Sequence, residues 1–475
     1  MRARSLLAFL IPLLAALPEE GSAQGTCRIA PNPEPRYARR LAGAGGTEIL
    51  FISGPVEVHC GVDVVVRADS AHSTGPELRL VGNVFYQDSV QTLTSDIANY
   101  FREIGRVTAR GSVVVRDRHG PSVIRGSELQ YDRVTPTRPE ANIIMRGRPR
   151  AYLYEEGTPP LPPGMEPSPG LRIVGGDTIP AALQVDADRL EVRGEGRMIA
   201  SGRVQMIREN IRAFGDQADF DRNAGRLELT GNARVEGEGY ELFGDLIVAS
   251  MLERQLEHVR AERNAQLLGE EIDVRAPVID IALAAGEVER MIAVSHQDGI
   301  QATAVAEDFQ LIADSIQVDA PRGVLDRLTA IGDAFGERAP DSASATHPDI
   351  VRRDWLRGDT IVGTFIQLAA DSAAPADGDT VETALNTLTA TGNARSIYRM
   401  EAANDRAERP AVNYITATLI ALRFENGEVV SVETIGPVAG VHLEPDPVRP
   451  ASNDAAADAD DGAAGTSSRE QGGAR

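Results

Sequence analysis

The chain has 475 residues, and its 70 Asp plus Glu outnumber 48 cationic residues, all of them Arg, to give a formal net charge of −22. This charge argues against a nucleic-acid partner, because binding to phosphates relies on cationic side chains. The absence of lysine excludes sites that need its amine, such as a P-loop, a Schiff-base cofactor or a kinase-type lysine. Aromatic residues make up only 4% of the sequence, which is poor for the core of a large globular enzyme.

The N-terminus has the pattern of a secretory signal peptide. Two arginines within residues 1–4 precede an apolar run from Leu6 to Leu17, and Gly21-Ser22-Ala23 supplies the small residues of a cleavage site. We predict a signal peptide over residues 1–23 and an exported, periplasmic protein, with association with the outer membrane left open. The alternative is an N-terminal membrane anchor, but the apolar run is shorter than the roughly 20 residues that span a bilayer.

The two cysteines, Cys27 and Cys60, both lie near the predicted mature N-terminus. In an oxidising compartment such a pair predicts one disulfide bond. The alternative is a lipid-modified Cys27. It is disfavoured because Gln24-Gly25-Thr26 lacks the leucine and the small residue expected before a lipidated cysteine.

A short pattern with a glycine at its centre recurs along the chain. In the copy Leu227-x-Leu229-x-Gly231-x-Ala233, polar residues occupy the intervening positions. Alternation with period 2 predicts a β-strand with one buried and one solvated face. A glycine inside a strand predicts a bulge, a sharp bend or the close approach of another backbone. The eight clear copies are centred on Gly82, Gly111, Gly147, Gly202, Gly231, Gly332, Gly392 and Gly436.

A second strand pattern follows the clearest glycines. Ser95-Asp96-x-Ala98, Gly215-Asp216-x-Ala218 and Gly244-Asp245-x-Ile247 each begin 13 residues after a glycine. Gly126-Ser127-x-Leu129 and Ala313-Asp314-x-Ile316 are further copies, and their polar residues are expected to point outward. One unit is therefore two strands and two turns, and units of this size need stacked neighbours to bury a shared face. We predict an all-β fold.

Several of these stretches resemble the OstA-like (organic solvent tolerance N-terminal) domain family. This family includes the periplasmic bridge protein and the N-terminal domain of the outer-membrane assembly protein of lipopolysaccharide export. The resemblance covers most of residues 48–338 and weakly 355–445. It is carried by Leu80–Asp88, Thr94–Phe101, Ala109–Arg116, Ile124–Asp132, Leu229–Arg234, Phe243–Leu246, Ile312–Asp319 and Ala330–Ala334.

The resemblance implies an elongated, V-shaped antiparallel β-jelly roll. Its apolar groove shields lipid acyl chains, and such rolls stack end to end through their terminal strands. The chain is far longer than a single bridge protein, so two or three tandem units are expected. The bridge itself, a fusion and a relative with another amphipathic cargo remain alternatives.

Breaks in the pattern suggest the following organisation. We expect a signal peptide (1–23), an N-terminal OstA-like jelly roll (24–156), a Pro-rich linker or loop (157–180), a second OstA-like segment (181–338), a C-terminal β segment with loops (339–445) and a disordered acidic tail (446–475). Within the C-terminal segment, Val351–Arg357 is expected to form one or two helical turns.

The leading hypothesis is a lipid-binding transport protein that carries lipopolysaccharide or a similar acylated lipid toward the outer membrane. Its expected partners are inner- and outer-membrane lipid-export components or further copies of itself. The alternative is a structural or adhesive β-repeat protein in which the same face is a dry core. The residues predicted to line the groove share the parity of the glycines: Leu78, Leu80, Val84, Val107, Ala109, Val113, Val115, Met198, Ala200, Val204, Met206, Leu227, Leu229, Ala233 and Val235.

No catalytic or cofactor motif stands out in the sequence. The seven histidines occur singly, no pair has metal-ligand spacing, and neither HExxH nor CxxC occurs. The sequence also lacks a GxSxG nucleophile elbow. We therefore expect no enzyme activity, no cofactor and no metal site.

The signal-peptide prediction can be tested on the protein recovered from a periplasmic extract. We expect N-terminal sequencing to begin at Gln24, because cleavage follows the small-x-small site ending at Ala23. A mature chain that still begins at Met1 would contradict the prediction and favour the membrane anchor.

Overall fold

The structure is a computed structural model. It describes residues 27–31, 36–42, 48–155, 157–174, 177–194, 196–252, 255–269, 272–295, 299–306, 309–338, 353–367, 383–400, 411–425 and 428–444. The expected signal peptide, the stretch 339–352 and the expected acidic tail lie outside the described residues. So do His296 and His347.

The described chain is almost entirely β-strand. The first strands are β1 (Cys27–Ile29), β2 (Tyr37–Ala42), β3 (Glu48–Cys60), β4 (Val64–Thr74), β5 (Glu77–Gln87), β6 (Gln91–Phe101), β7 (Arg106–Asp117), β8 (Val123–Asp132), β9 (Asn142–Arg146), β10 (Arg150–Leu153), β11 (Arg172–Val174), β12 (Asp177–Ile179), β13 (Leu183–Asp186), β14 (Arg189–Arg193) and β15 (Arg197–Arg208). They are followed by β16 (Ile211–Asp221), β17 (Arg226–Gly237), β18 (Tyr240–Leu252), β19 (Gln255–Gly269), β20 (Ile272–Ala284), β21 (Glu287–Val294), β22 (Ala302–Ala306), β23 (Phe309–Ala313), β24 (Ser315–Asp319), β25 (Arg327–Arg338), β26 (Asp354–Gln367), β27 (Thr383–Met400), β28 (Ala411–Glu425), β29 (Glu428–Ile435) and β30 (Ala439–Leu443).

All of these strands except β11 and β12, which pair only with each other, form one long antiparallel ladder that follows chain order. Some strands are interrupted at their centre, and their two segments then occupy the place of one strand in the ladder. These pairs of segments are β9 and β10, β13 and β14, β21 and β22, β23 and β24, and β29 and β30. The predicted all-β, elongated antiparallel architecture is confirmed. β9 and β10 pair directly with β14 and β13, so the ladder continues across the Pro-rich segment without a break.

The central glycines form β-bulges in alternate strands. Gly231 and Asn232 of β17 together face the single residue Asp245 of β18, and both have positive φ, 73° and 50°. Glycine adopts this left-handed conformation without steric cost, and asparagine tolerates it better than most residues. The copy without glycine keeps the same geometry, because Arg263 and Asn264 of β19 have φ of 57° and 62°.

A polar side chain that precedes the glycine in the chain lies over each of the eight glycines: an aspartate at six of them, Ser127 at Gly147 and Thr418 at Gly436. A Cβ atom on Gly231 would overlap the carboxylate of Asp216, and Asn232 Nδ2 donates to Asp216 Oδ2 at 3.1 Å. The glycine is therefore needed both for its φ and for the space that the aspartate occupies. The same contact joins Asp69 to Gly82, Asp96 to Gly111, Asp188 to Gly202, Asp314 to Gly332 and Asp359 to Gly392.

The aligned bulges divide the ladder into two half-sheets. Each long strand is divided by its bulge into two halves. Half-sheet 1 consists of residues 77–81 of β5 and the strand halves that are connected to them, strand by strand, through backbone pairing. Half-sheet 2 consists of residues 84–87 of β5 and the strand halves connected to those. Tyr86 of half-sheet 2 lies 6.0 Å from Tyr100 and 6.1 Å from Tyr131, both in half-sheet 1, measured between ring centroids. The two inner faces therefore pack against each other, and their buried residues form a single hydrophobic core.

The expected helical turns at Val351–Arg357 are wrong over the described residues. Asp354 begins the long strand β26, and Leu356, only 2% exposed, pairs with Gly336 of β25 and Ser396 of β27. Backbone pairing on both sides outweighs a local pattern this short. The described residues do include a single 3₁₀ turn at Pro321–Gly323.

Replacing Gly231 by alanine tests the contact between glycine and aspartate. We expect Gly231→Ala to lower the free energy of unfolding by about 1–3 kcal/mol more than Gly75→Ala. Both glycines have positive φ, but a Cβ on Gly75 meets nothing within 4 Å. The urea midpoint, followed by circular dichroism, measures the difference. Equal losses in the two variants would mean that the Asp216 contact contributes nothing.

Candidate functional site

The residues predicted to line a groove lie on the inner faces of the two half-sheets. Thirteen of the fifteen are 0–5% exposed, while Leu227 and Val235 are partly buried and pack against the core. On the strands that carry the glycines, the alternation of apolar and polar residues therefore correctly identifies the side chains that face the interior. Whether these positions contact a lipid remains a prediction.

Sequence reasoning missed the inner-face residues of the alternate strands. In these strands an aspartate, or Ser127 in β8, lies at the bend between the two half-sheets, and the residue two positions after it is buried. The residues in question, all 0–4% exposed, are Ala98, Leu129, Leu190, Ala218, Ile247, Ile316 and Ile361. The signal was present in the Asp-x-apolar pattern. In these strands the alternation of buried and exposed residues shifts by one position at the bend, so a single alternating pattern does not describe the whole strand. In β6, for example, Ser95 and Ala98 are both buried although they are three residues apart.

The interior changes in character along the ladder. Over β5–β8 it is filled by large side chains, including Tyr86, Leu93, Tyr100 and Tyr131. From β16 onward the buried residues next to the bends include large aliphatic side chains, such as Leu229, Ile247 and Ile279, as well as many alanines. The alanines exposed by 2% or less are Ala218, Ala233, Ala261, Ala265, Ala293, Ala302, Ala313, Ala330, Ala334, Ala390 and Ala394.

The edges of the two inner faces are less buried beyond β8 than over β5–β8. Partly buried apolar residues occur at Ile143, Leu153, Leu183 and Val192 of β9–β14 and again from β16 to β25. In β16–β25 they are the apolar residues farthest from the bends. We call these residues the apolar rim and the line between the half-sheets the seam. The rim contains Phe220, Leu227, Val259, Leu283, Val318 and Leu328 on half-sheet 1, and Val235, Leu267 and Phe309 on half-sheet 2.

Over β5–β8 the seam is closed around a buried carboxylate. Asp88, 2% exposed, accepts hydrogen bonds at Oδ1 from the backbone amides of Val90 (2.9 Å) and Gln91 (3.0 Å). Its Oδ2 accepts from the hydroxyls of Tyr86 (3.0 Å) and Tyr131 (2.7 Å). Four donors satisfy the charge, as a buried carboxylate requires.

The outer faces are covered by ion pairs between neighbouring arginines and carboxylates. Arg260 Nη1 lies 2.9 Å from Asp280, and Arg290 Nε lies 2.8 Å from Asp319. Burial alone would raise the pKa of Glu191, but hydrogen bonds from Arg189 and Arg193 outweigh it and lower that pKa. Much of the arginine complement is thus used to neutralise carboxylates of the same face.

The N-terminal cysteines join two neighbouring strands. Cys27 of β1 pairs with Cys60 of β3 in register, and their Sγ atoms lie 1.98 Å apart in a disulfide bond. His59 contacts Glu57 at 2.6 Å. In the part of the chain that the structure describes, no three His, Cys, Asp or Glu side chains are grouped to hold a metal ion. No helix among the described residues has the length and apolarity needed to cross a membrane.

The chain was compared with known proteins. No protein-family model matches it, and neither does any curated protein. Among solved structures it is similar to LptH, the LptA homologous periplasmic component of the conserved lipopolysaccharide transport device from Pseudomonas aeruginosa. The two chains are 16% identical, the match covers 30% of this chain and 92% of LptH, and the TM-score is 0.22.

The buried tyrosines around Asp88 predict a loss of stability at alkaline pH. Burial, and then the Asp88 carboxylate, raise the pKa of Tyr86 and of Tyr131 above the ordinary value of about 10. Their contribution is complete below that value and is lost as pH rises through the folded-state pKa, because the unfolded chain releases the phenolic protons first.

We therefore expect the urea midpoint to fall as pH rises above about 10. The decline should be shallower in a variant that combines Tyr86→Phe with Tyr131→Phe. An equal slope in the variant and the unaltered protein would refute this account.

Proposed function

We propose that this protein is a periplasmic carrier that binds lipopolysaccharide or a similar acylated lipid in the seam and passes it toward the outer membrane. One observation carries the proposal: the apolar rim stays partly exposed from β16 to β25, whereas the inner faces of β5–β8 are closed by buried side chains. In an ordinary dry core, apolar residues at such positions are expected to be fully buried. The resemblance to the OstA-like family supports the same function.

The energetics favour an acyl chain as the ligand. Each methylene transferred from water to an apolar surface contributes roughly 0.8 kcal/mol, so a few acyl chains offset the separation of the two rims. Each described ladder pairs strand halves of the same half-sheet, so the rims can part without loss of backbone pairing. The net charge of −22 does not attract an anionic lipid, and affinity should depend little on salt.

The two ends of the ladder supply surfaces for the export components or for further copies. Among the described strands, β29 and β30 pair only with β28, so each has one unpaired edge. Val430, Ile435, Val441 and Leu443 on these strands are 50–62% exposed. An unpaired edge with exposed apolar residues favours the addition of a strand from another chain.

A structural or adhesive role is the second candidate. The complete burial of the residues next to the bends favours it. Residues beside the bends such as Ala261 and Ala330 are 0% exposed, as expected in a dry core. The two candidates differ in one respect: only a carrier opens its seam to lipid.

Photolabelling with a palmitic acid analogue that carries a diazirine in its chain separates the candidates. We expect delipidated protein to form adducts on inner-face residues between β16 and β25, and lipopolysaccharide to compete with the labelling. Leu227→Gln should weaken binding about tenfold or more, because it places an amide at the rim. Glu228→Gln is the matched control, since the next residue along a strand points to the opposite face. Absence of adducts, or equal effects of the two variants, would leave only the structural role.

A further inference from the structure

The seam is held shut over β4–β8 by two hydrogen-bonded contacts that cross it. Tyr131, in half-sheet 1, donates to Asp88, which follows β5 in half-sheet 2, at 2.7 Å. Arg133, directly after β8 in half-sheet 1, donates through Nη2 to Asp63 Oδ2 at 2.7 Å. Asp63 lies in the turn between β3 and β4, which belongs to half-sheet 2.

We call these two contacts, together with the ring of Tyr86 between them, the latch. Tyr86 is 1% exposed, and its ring contacts both Tyr100 and Tyr131. Buried aromatic side chains therefore fill the edge of the interior here, whereas partly exposed rim residues occupy it between β16 and β25. The Asp63 turn begins directly after Cys60, which the disulfide bond ties to β1. The half-sheet 2 side of the latch is thereby anchored.

The latch differs in kind from the rest of the seam. Between β16 and β25 both rims consist of aliphatic and phenylalanine side chains, which can separate without leaving a polar group of their own unsatisfied. Opening the latch would remove the Tyr131 hydroxyl, one of the four donors to the buried Asp88 carboxylate, and would separate Arg133 from Asp63. The loss of hydrogen bonds to buried or part-buried charges is far more costly than the exposure of a methylene.

We infer that the latch sets the limit of the lipid site: acyl chains enter the seam from β16 onward and stop before β4–β8. This inference rests on the proposed function and adds where in the chain the lipid lies. Lipid that reaches the N-terminal end must then leave the interior there, or pass only when a partner opens the latch. Tyr131 and Arg133 are thus positioning residues for the ligand rather than groups that bind it.

Two measurements on the full mature chain test the inference. The first maps adducts of the diazirine analogue of palmitic acid by mass spectrometry. In the unaltered protein we expect adducts between β16 and β25 and none on the inner faces of β5–β7. In Tyr131→Phe combined with Arg133→Gln, the yield on Leu78–Val115 should rise about tenfold, the effect expected for the loss of a hydrogen bond to a charged group.

The second measurement reports on the latch without lipid. Tetranitromethane should leave Tyr86 and Tyr100 unmodified in the unaltered protein, because they are 1% and 4% exposed, and should nitrate both in the double variant. Tyr240, 40% exposed, is the internal reference that reacts in both proteins. Tyr152→Phe, on the outer face of β10, is the matched control and should change neither measurement. Tyr131→Phe alone preserves the shape of the side chain and should show the same effects at lower amplitude.

The outcomes are distinct. Adducts over β5–β7 in the unaltered protein would overturn the limit. A double variant with neither new adducts nor nitration of Tyr86 would overturn the latch. Absence of adducts throughout both proteins, with nitration that increases in the variant, would remove the proposed function and the lipid limit while supporting the latch as the contact that closes this end.

Discussion

The whole architecture depends on one repeated contact, in which an aspartate, or at two sites a serine or a threonine, lies over the glycine of the next strand. At this point the glycine and its successor adopt left-handed conformations and form a bulge, as at Gly231 and Asn232 beneath Asp216. A bulge in a single strand would only distort a sheet locally. Because the contact recurs in alternate strands at the same level of the ladder, the distortions align and divide the ladder into two facing half-sheets. Every buried residue on the inner faces owes its position to this alignment.

The division also separates two kinds of chemistry. The outer faces carry arginines and carboxylates that neutralise one another across neighbouring strands, as Arg290 and Asp319 do. Such exposed pairs add little stability individually. The inner faces carry almost only apolar residues. These faces are therefore suited to contact with hydrocarbon rather than with charged groups.

Along the ladder the inner faces are not uniform, and this gradient gives the molecule a direction. Near the N-terminus, Tyr86, Tyr100 and Tyr131 fill the interior and Asp88 joins the half-sheets through hydrogen bonds. Farther along, alanines and larger aliphatic residues such as Ile279 fill the interior, and partly exposed apolar residues form the rims. The same backbone repeat thus supports a sealed segment and a segment whose rims can part. Side-chain volume and hydrogen bonding, rather than the backbone, make the difference.

The sequence by itself determined the strands, the buried face of the glycine-bearing strands and the two-strand repeat, because alternation and glycine conformation are local properties. Leu80, Val113 and Leu229 were placed inward by parity alone, and the structure buries all three. Only the tertiary structure decided three further features: that Asp96 and its counterparts pack over glycines, that residues 354–357 form a strand, and that Tyr131 reaches Asp88. Each of these depends on neighbours brought close by pairing or by the facing of the half-sheets. Asp88 and Tyr131 are 43 residues apart in the chain, and no local pattern encodes a contact over that separation.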